Sequence, residues 1–162
     1  MQNVVRESLE SLFRELVDGP GPRGAWMLNG GDPGLLGSLD HLSAAAASAV
    51  PAGGGASIAA HVDHVRYGLS LVNRWSRGEP DPWARADWGA SWSRAVVDDE
   101  EWDTLRQALR TEAREWVSLL RDRDYSVGEL NEVIACLAHL AYHFGAIRQM
   151  DSSIQGPRAA SA

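Results

Sequence analysis

Apolar residues recur at helical spacing over five stretches of the chain, and no stretch alternates between apolar and polar residues as a strand would. In the first stretch, residues 2–17, the apolar residues lie on one side and Arg and Glu lie on the other. The later stretches cover about 33–49, 58–78 and 100–122, and the last begins at Ser126. The pattern predicts an all-α protein with five helices packed as a bundle.

Glycine, proline and capping residues separate these stretches. A Gly-Pro-Gly-Pro run at 19–22 ends the first helix, and a Pro-Ala-Gly-Gly-Gly run at 51–55 ends the second. Asp32 is expected to be the N-cap of the second helix, with Pro33 at its first position. Ser126-Val-Gly-Glu is a capping box, which predicts the start of the last helix.

Residues 79–97, between the third and fourth helices, have no helical pattern. They carry Trp83, Trp88 and Trp92 among Pro, Asp, Arg and Ser residues. A loop of this length inside a compact domain is usually functional or packed as a unit. The indoles either close one end of the bundle, because they carry a large apolar area, or form a lid or wall over a ligand pocket.

Four histidines lie on two of the predicted helices. On the last helix, His139 and His143 are four residues apart, so both imidazoles lie on one face, one turn apart. On the third helix, His61 and His64 flank the apolar stripe. Three imidazoles and a water form a metal site with an open position, and facing helices of a bundle can supply them. The spacing supports a metal site, while a structural role for each histidine stays the alternative.

Other polar side chains near these histidines have weaker patterns. Cys136 lies in an apolar context, so we expect a packing residue rather than a nucleophile. No Gly-x-Ser-x-Gly run is present to suggest a serine hydrolase. Asp63, Tyr67 and Tyr142 either orient imidazoles and position a ligand, or are solvated and packing side chains.

Length, charge and cysteine content limit the classes of function. The chain has 162 residues, so one domain over 1–162 is the expectation. Its net charge of −7 argues against binding to nucleic-acid phosphates. The single cysteine allows no intrachain disulfide, which fits a reducing compartment. With charged residues throughout the first helix and no run of about 20 apolar residues, we expect a cytoplasmic protein without a membrane partner.

Two runs carry a resemblance to a known family. They read Ser57-Ile-Ala-Ala-His-Val-Asp-His-Val and His139-Leu-Ala-Tyr-His-Phe-Gly-Ala-Ile. The chain resembles the DinB-like (DinB/YfiT) superfamily of metal-binding four-helix bundles, and the second run is similar to its last-helix His-x-x-x-His motif. The similarity covers roughly residues 33–150. It implies a four-helix bundle with the N-terminal helix and the Trp-rich loop between the third and fourth helices as additions.

This resemblance also implies a site and a class of chemistry. The metal ligands would be His64, His139 and His143, with His61 as the alternate to His64, and the ion would be divalent, zinc or nickel above others. Some members are thiol-dependent transferases or isomerases that use a low-molecular-weight thiol such as bacillithiol or mycothiol. A small-molecule ligand or thiol and a homodimer are therefore the expected partners.

Two other classes of function stay open from the sequence. A metal hydrolase would use metal-bound water as the nucleophile, but the His139–His143 motif contains no Asp or Glu, and Asp63 is the only nearby candidate for a base. A non-enzymatic binding or stress-response protein would hold a structural metal or none. Activity without added thiol would favour the hydrolase, and a melting temperature that metal does not change would favour the non-enzymatic protein.

Overall fold

The computed structural model describes residues 2–22, 24–121 and 124–158, and over these residues the chain is all-α, as predicted. The six helices are α1 (Gln2–Asp18), α2 (Gly34–Asp40), α3 (Ala44–Ser48), α4 (Ile58–Ser76), α5 (Asp99–Arg121) and α6 (Val127–Met150). Short 3-10 turns lie between α4 and α5, at Pro82–Arg85 and Ala90–Trp92, and after α6, at Ser152–Ile154. The described ranges contain no strand, only an isolated bridge between Gly21 and Gly24.

The single helix predicted over about 33–49 is wrong, because the chain forms α2 and α3 there instead. The hydroxyl of Ser43 accepts a hydrogen bond from the backbone N–H of Ala46 at 3.1 Å and so caps a new helix. Pro33 occupies the N-cap position of α2 rather than its first turn, and Asp32 accepts from the N–H of Gly34. The other helices agree with the prediction to within about two residues at each end, and the capping box at Ser126 is confirmed.

The described chain divides into two compact units, of which the first comprises residues up to His41 and residues from Leu120 onward. In this unit α1 packs against α2 and α6. Its buried apolar residues include Leu9, Phe13, Leu16, Leu35, Leu39, Leu140, Phe144 and Ile147. Arg148 on α6 donates to Asp32 at 2.6 Å, and its guanidinium carbon lies 4.0 Å from the centre of the Phe144 ring. This largely buried ion pair fixes the end of α6 beside the start of α2.

The backbones at the end of α1 and the start of α2 cross at two glycines. Gly19 has φ +86° and Gly34 has φ +68°, values that L-residues with side chains rarely adopt. A Cβ added to Gly19 would overlap the carbonyl oxygen of Asp32, and one added to Gly34 would overlap the backbone nitrogen of Gly19. Both positions therefore require glycine, for conformation and for space.

The second compact unit, residues 42–119, contains α3, α4 and most of α5. Its buried apolar residues include Ile58, Val62, Val65, Leu69, Val72, Trp102, Leu105, Leu109 and Trp116. Two buried polar groups join its parts: the Trp102 indole N–H donates to the carbonyl of Leu42 at 2.9 Å, and the Asn73 amide donates to the carbonyl of Glu112 at 3.0 Å. These bonds give buried donors the partners they need. The prediction of one domain over 1–162 stays a prediction.

Helix α6 is long and apolar enough, by length and composition alone, to cross a membrane. A single such helix is weak evidence, because the core helix of a soluble protein passes the same test. In the most apolar 18-residue part of α6, 28% of the sequence is buried. Large apolar side chains that α6 leaves exposed include Ile134 and Tyr142. Among the described residues, a single weakly apolar helix is compatible with a soluble protein. The cytoplasmic location stays a prediction.

A buried carboxylate joins the loop after α1 to the helix itself. Glu15 is only 3% exposed, and its Oε1 accepts hydrogen bonds from the backbone N–H groups of Trp26, Met27 and Leu28 at 2.9, 2.7 and 2.7 Å. Bonds from N–H groups to a charged acceptor are stronger than neutral ones. The carboxylate thus fixes three consecutive loop residues against α1.

We expect Glu15→Gln to lower the free energy of unfolding by about 1.5–3 kcal/mol, because the amide is a weaker acceptor and turns a buried donor toward the three N–H groups. Urea denaturation followed by circular dichroism measures this, with an unchanged m-value. Glu7→Gln, an exposed change on the same helix, is the control and should stay within about 0.5 kcal/mol. Equal effects of the two substitutions would contradict an anchoring role for Glu15.

Candidate functional site

The two histidines of α6 face one another in the first compact unit. The Nε2 atoms of His139 and His143 are 2.9 Å apart, and their rings meet edge to face with centroids 4.4 Å apart. His143 is 3% exposed, beside the buried Phe144, and His139 is half-buried. The i, i+4 spacing thus places both imidazoles on one face of α6, as the sequence predicted. The structure adds that their Nε2 atoms face each other.

The geometry of this pair suits two ligands of one metal ion. Only one proton fits between nitrogens 2.9 Å apart, so without an ion one ring donates and the other accepts. Burial lowers the pKa of His139, which favours the neutral ring with a lone pair. Two nitrogens at zinc–nitrogen distances of about 2.0–2.1 Å in a tetrahedral site lie about 3.3 Å apart. The observed separation is close to this value.

His64 lies on α4 in the second compact unit and is held on its edge and on its face. It is 7% exposed, and its Nδ1 is 2.8 Å from the hydroxyl of Ser91. The Trp92 indole stacks on the imidazole with centroids 4.1 Å apart and planes 22° apart. The Trp88 ring adds a tilted contact at 5.6 Å. The ring plane and the edge of His64 are therefore both fixed by residues of the loop that follows α4.

His61, the alternate ligand, lies one turn before His64 on α4. Its ring contacts Trp92 edge to face at 5.0 Å, so one indole packs against both histidines. Burial lowers the pKa of His61, which keeps its ring neutral at pH 7. His41, the fifth histidine of the chain, is exposed.

The Trp-rich segment, residues 79–97, runs back along α4, and we refer to it as the strap. Its contacts with α4 follow one another in reverse order along the helix. They are Trp83 with Trp75, the Asp87 N–H with the Tyr67 hydroxyl at 3.0 Å, Ser91 with His64, Arg94 with Asp63 at 3.3 Å, and the Ala95 carbonyl with the Ser57 hydroxyl at 2.6 Å. Of the three tryptophans, Trp88 and Trp92 contact His64, whereas Trp83 packs near the far end of the helix.

Asp63 lies beside the histidines but makes ion pairs with arginines. One carboxylate oxygen is 2.7 Å from Arg66, and the other is 3.3 Å from Arg94 of the strap. A general base has to present a lone pair to the substrate proton. With both oxygens paired to guanidinium groups, Asp63 anchors the strap to α4.

The two tyrosines that the sequence singled out differ in their surroundings. Tyr67 accepts the strap's Asp87 N–H and packs edge to face on Trp88 at 5.6 Å, so it positions the strap. Tyr142 is 71% exposed, and its ring lies edge to face with that of His143 at 5.0 Å. Ser91, which contacts His64, was missed because no motif distinguishes it from the other serines of an irregular segment.

A family model for the DinB superfamily matches residues 34–147, more than half of the chain. The chain belongs to the DinB superfamily. The DinB match runs from α2 into α6, so it contains all four histidines of the predicted site, and it begins after α1, the predicted N-terminal addition. No curated protein and no solved structure matches the chain.

Within this DinB superfamily chain, Cys136 lies on α6 one turn before His139. Although the residue is partly exposed, burial of the sulfur raises the pKa of its thiol to about 12. The thiolate is the nucleophilic and metal-binding form of cysteine. At pH 7 the thiol form dominates, which agrees with the predicted packing role.

We expect Cys136 to react with iodoacetamide at pH 7.5 at least about tenfold more slowly in the native protein than in urea, because its raised pKa suppresses the thiolate. Mass spectrometry of timed samples measures the alkylated fraction. Raising the pH should accelerate the native reaction without a plateau below pH 9. Native and unfolded protein reacting at the same rate would show that the thiol is not shielded.

Proposed function

We propose that this member of the DinB superfamily binds a divalent metal ion through His64, His139 and His143. These are the described residues that could together hold a metal ion, and the family match spans all three. The observation that carries the proposal is the α6 pair, whose Nε2 atoms lie 2.9 Å apart. Family membership and this set of histidines are compatible with metal binding.

The chemistry of the donors favours zinc or nickel. Three neutral imidazoles suit a borderline metal ion and leave a position for an exogenous ligand. Calcium and magnesium prefer oxygen ligands, and the nearby carboxylate of Asp63 is paired to Arg66 and Arg94. We assign the third ligand to His64 rather than His61, because Ser91 and Trp92 hold the His64 ring on its edge and its face.

For the activity we propose transfer of a small organic thiol to an electrophile. A bound divalent ion supplies acidity, since it lowers the pKa of a coordinated thiol. In the reaction the thiol would release its proton to solvent, and its sulfur would form a bond to the electrophilic carbon. The bond between that carbon and the leaving group would break, and the leaving group would take the electron pair. Trp88 and Trp92 contribute apolar surface that excludes water beside His64.

Two observations favour an exogenous thiol over the other possible nucleophiles, which are the chain's own cysteine and an activated water. The chain's own thiol, Cys136, is not ionised at neutral pH because burial raises its pKa. The candidate base for a hydrolase, Asp63, is engaged by two guanidinium groups. A low-molecular-weight thiol such as bacillithiol or mycothiol therefore fits the site better than activated water. The homodimer expected for this protein stays a prediction.

We expect one equivalent of zinc or nickel per chain in untagged protein, and none in the His139→Ala/His143→Ala double variant, which removes two of three ligands. Elemental analysis after reconstitution and dialysis measures the ratio. His41→Ala is the matched control, because it removes an exposed histidine outside the site, and it should keep one equivalent. Absence of metal from all three proteins would overturn the metal-site proposal.

For the metal-loaded protein we expect turnover of an electrophile panel, such as alkyl halides and epoxides, only when bacillithiol, mycothiol or cysteine is supplied. Liquid chromatography with mass spectrometry detects the thioether product. The double-histidine variant should lose at least about 100-fold in rate, because thiol ionisation depends on the site. Hydrolysis without thiol would favour the hydrolase. No turnover, with a melting temperature raised by metal, would favour a structural metal.

A further inference from the structure

The hydroxyl of Ser91 contacts two groups and has one proton to donate. Its Oγ lies 2.7 Å from the carbonyl oxygen of Trp88 and 2.8 Å from Nδ1 of His64. A carbonyl oxygen has no proton, so at this distance the hydroxyl must donate to Trp88. The same Oγ must then accept from His64, which places a proton on Nδ1.

We propose that Ser91 is a positioning residue that holds His64 in the tautomer protonated at Nδ1. The neutral ring then carries its lone pair on Nε2, the nitrogen that Ser91 does not contact. An imidazole that binds a metal through one nitrogen usually donates from the other to a protein acceptor, which fixes tautomer and orientation. The claim that this tautomer presents Nε2 to a metal ion rests on the proposed function. The claim that Ser91 sets the tautomer does not.

The surroundings make this hydrogen bond persistent. Ser91 and His64 are 6% and 7% exposed, so water competes little for either partner. A hydrogen bond in such a site is stronger than one in water. The neighbouring Trp92 stacks on the ring at 4.1 Å, so two consecutive residues fix the edge and the plane of one imidazole.

The position of Ser91 is itself determined by its turn. It lies in the 3-10 turn Ala90–Trp92, and the carboxylate of Asp87, just before this turn, accepts from the Ala90 N–H at 2.8 Å. The N–H of Asp87 in turn donates to the Tyr67 hydroxyl of α4. The serine is therefore placed by the turn and by the anchor of the strap, both of which persist without its hydroxyl.

The matched control is Ser93, two residues further along the same segment. Its hydroxyl also donates to a backbone carbonyl, that of Ala90 at 2.7 Å, but the residue is exposed. Ser93→Ala thus removes the same kind of intraloop hydrogen bond as Ser91→Ala. Only Ser91→Ala removes an acceptor from His64.

The first test is the tautomer of His64 in metal-free protein, read from long-range ¹H–¹⁵N spectra at pH 8 and assigned with His64→Gln. We expect Nδ1 protonated in the parent and in Ser93→Ala. In Ser91→Ala, loss of the acceptor should shift the ring towards the Nε2-protonated form. A parent ring protonated on Nε2 would overturn the proposal without any metal being present.

The second test is zinc affinity, measured by competition with a chromophoric chelator. We expect Ser91→Ala to bind zinc about 10–100-fold more weakly, and Ser93→Ala to bind within about twofold of the parent. Equal affinities of Ser91→Ala and the parent would contradict a positioning role. A parent that binds no zinc would instead refute the proposed function, and the tautomer measurement would still decide whether Ser91 sets the ring.

Discussion

A polar backbone that leaves regular structure has to find hydrogen-bond partners wherever it is buried, and this constraint governs the strap. The strap (residues 79–97) is 19 residues long and contains only two short 3-10 turns. Among its backbone groups, the Asp87 N–H donates to Tyr67 of α4, the Ala95 carbonyl accepts from Ser57 at the N-cap of α4, and the Val97 N–H donates to Ser48 of α3. Its Ser91 and Arg94 side chains contact His64 and Asp63 of α4. These polar residues on a largely buried helix are explained by the segment that covers them. The placement of His64 depends on the same contacts.

The two halves of the proposed site are held by different kinds of interaction. On α6 the pairing of His139 with His143 follows from local helix geometry, and the Arg148–Asp32 ion pair fixes the helix end. On α4 the ring of His64 depends on residues about 27 positions later in the chain. A perturbation of the strap would therefore disturb His64, one of the three proposed ligands, and leave the α6 pair intact.

This difference explains what the sequence could predict. Helix periodicity found α1, α4, α5 and α6, and spacing alone predicted that His139 and His143 share a face. The break between α2 and α3 was missed, because the alanine run has high helix propensity and the cap at Ser43 looks like any helical serine.

The contacts of the strap were beyond sequence reasoning for a related reason. Ser91, Arg94 and Asp87 acquire their roles from long-range pairing, and no periodicity reports which side chain an irregular segment meets. The pairing of Asp63 with two arginines likewise decides against its use as a base, although its position beside His64 suggested one.

The crossing of Gly19 over Gly34 restricts how this chain can diverge over evolution. In most packed contacts a larger residue on one side is accommodated by a smaller one opposite. Here neither partner has a side chain to shrink, so no compensating pair of substitutions exists. A lineage must keep both glycines or lose this α1–α2 junction altogether, even while the exposed loop around Trp26 between them is free to drift in sequence.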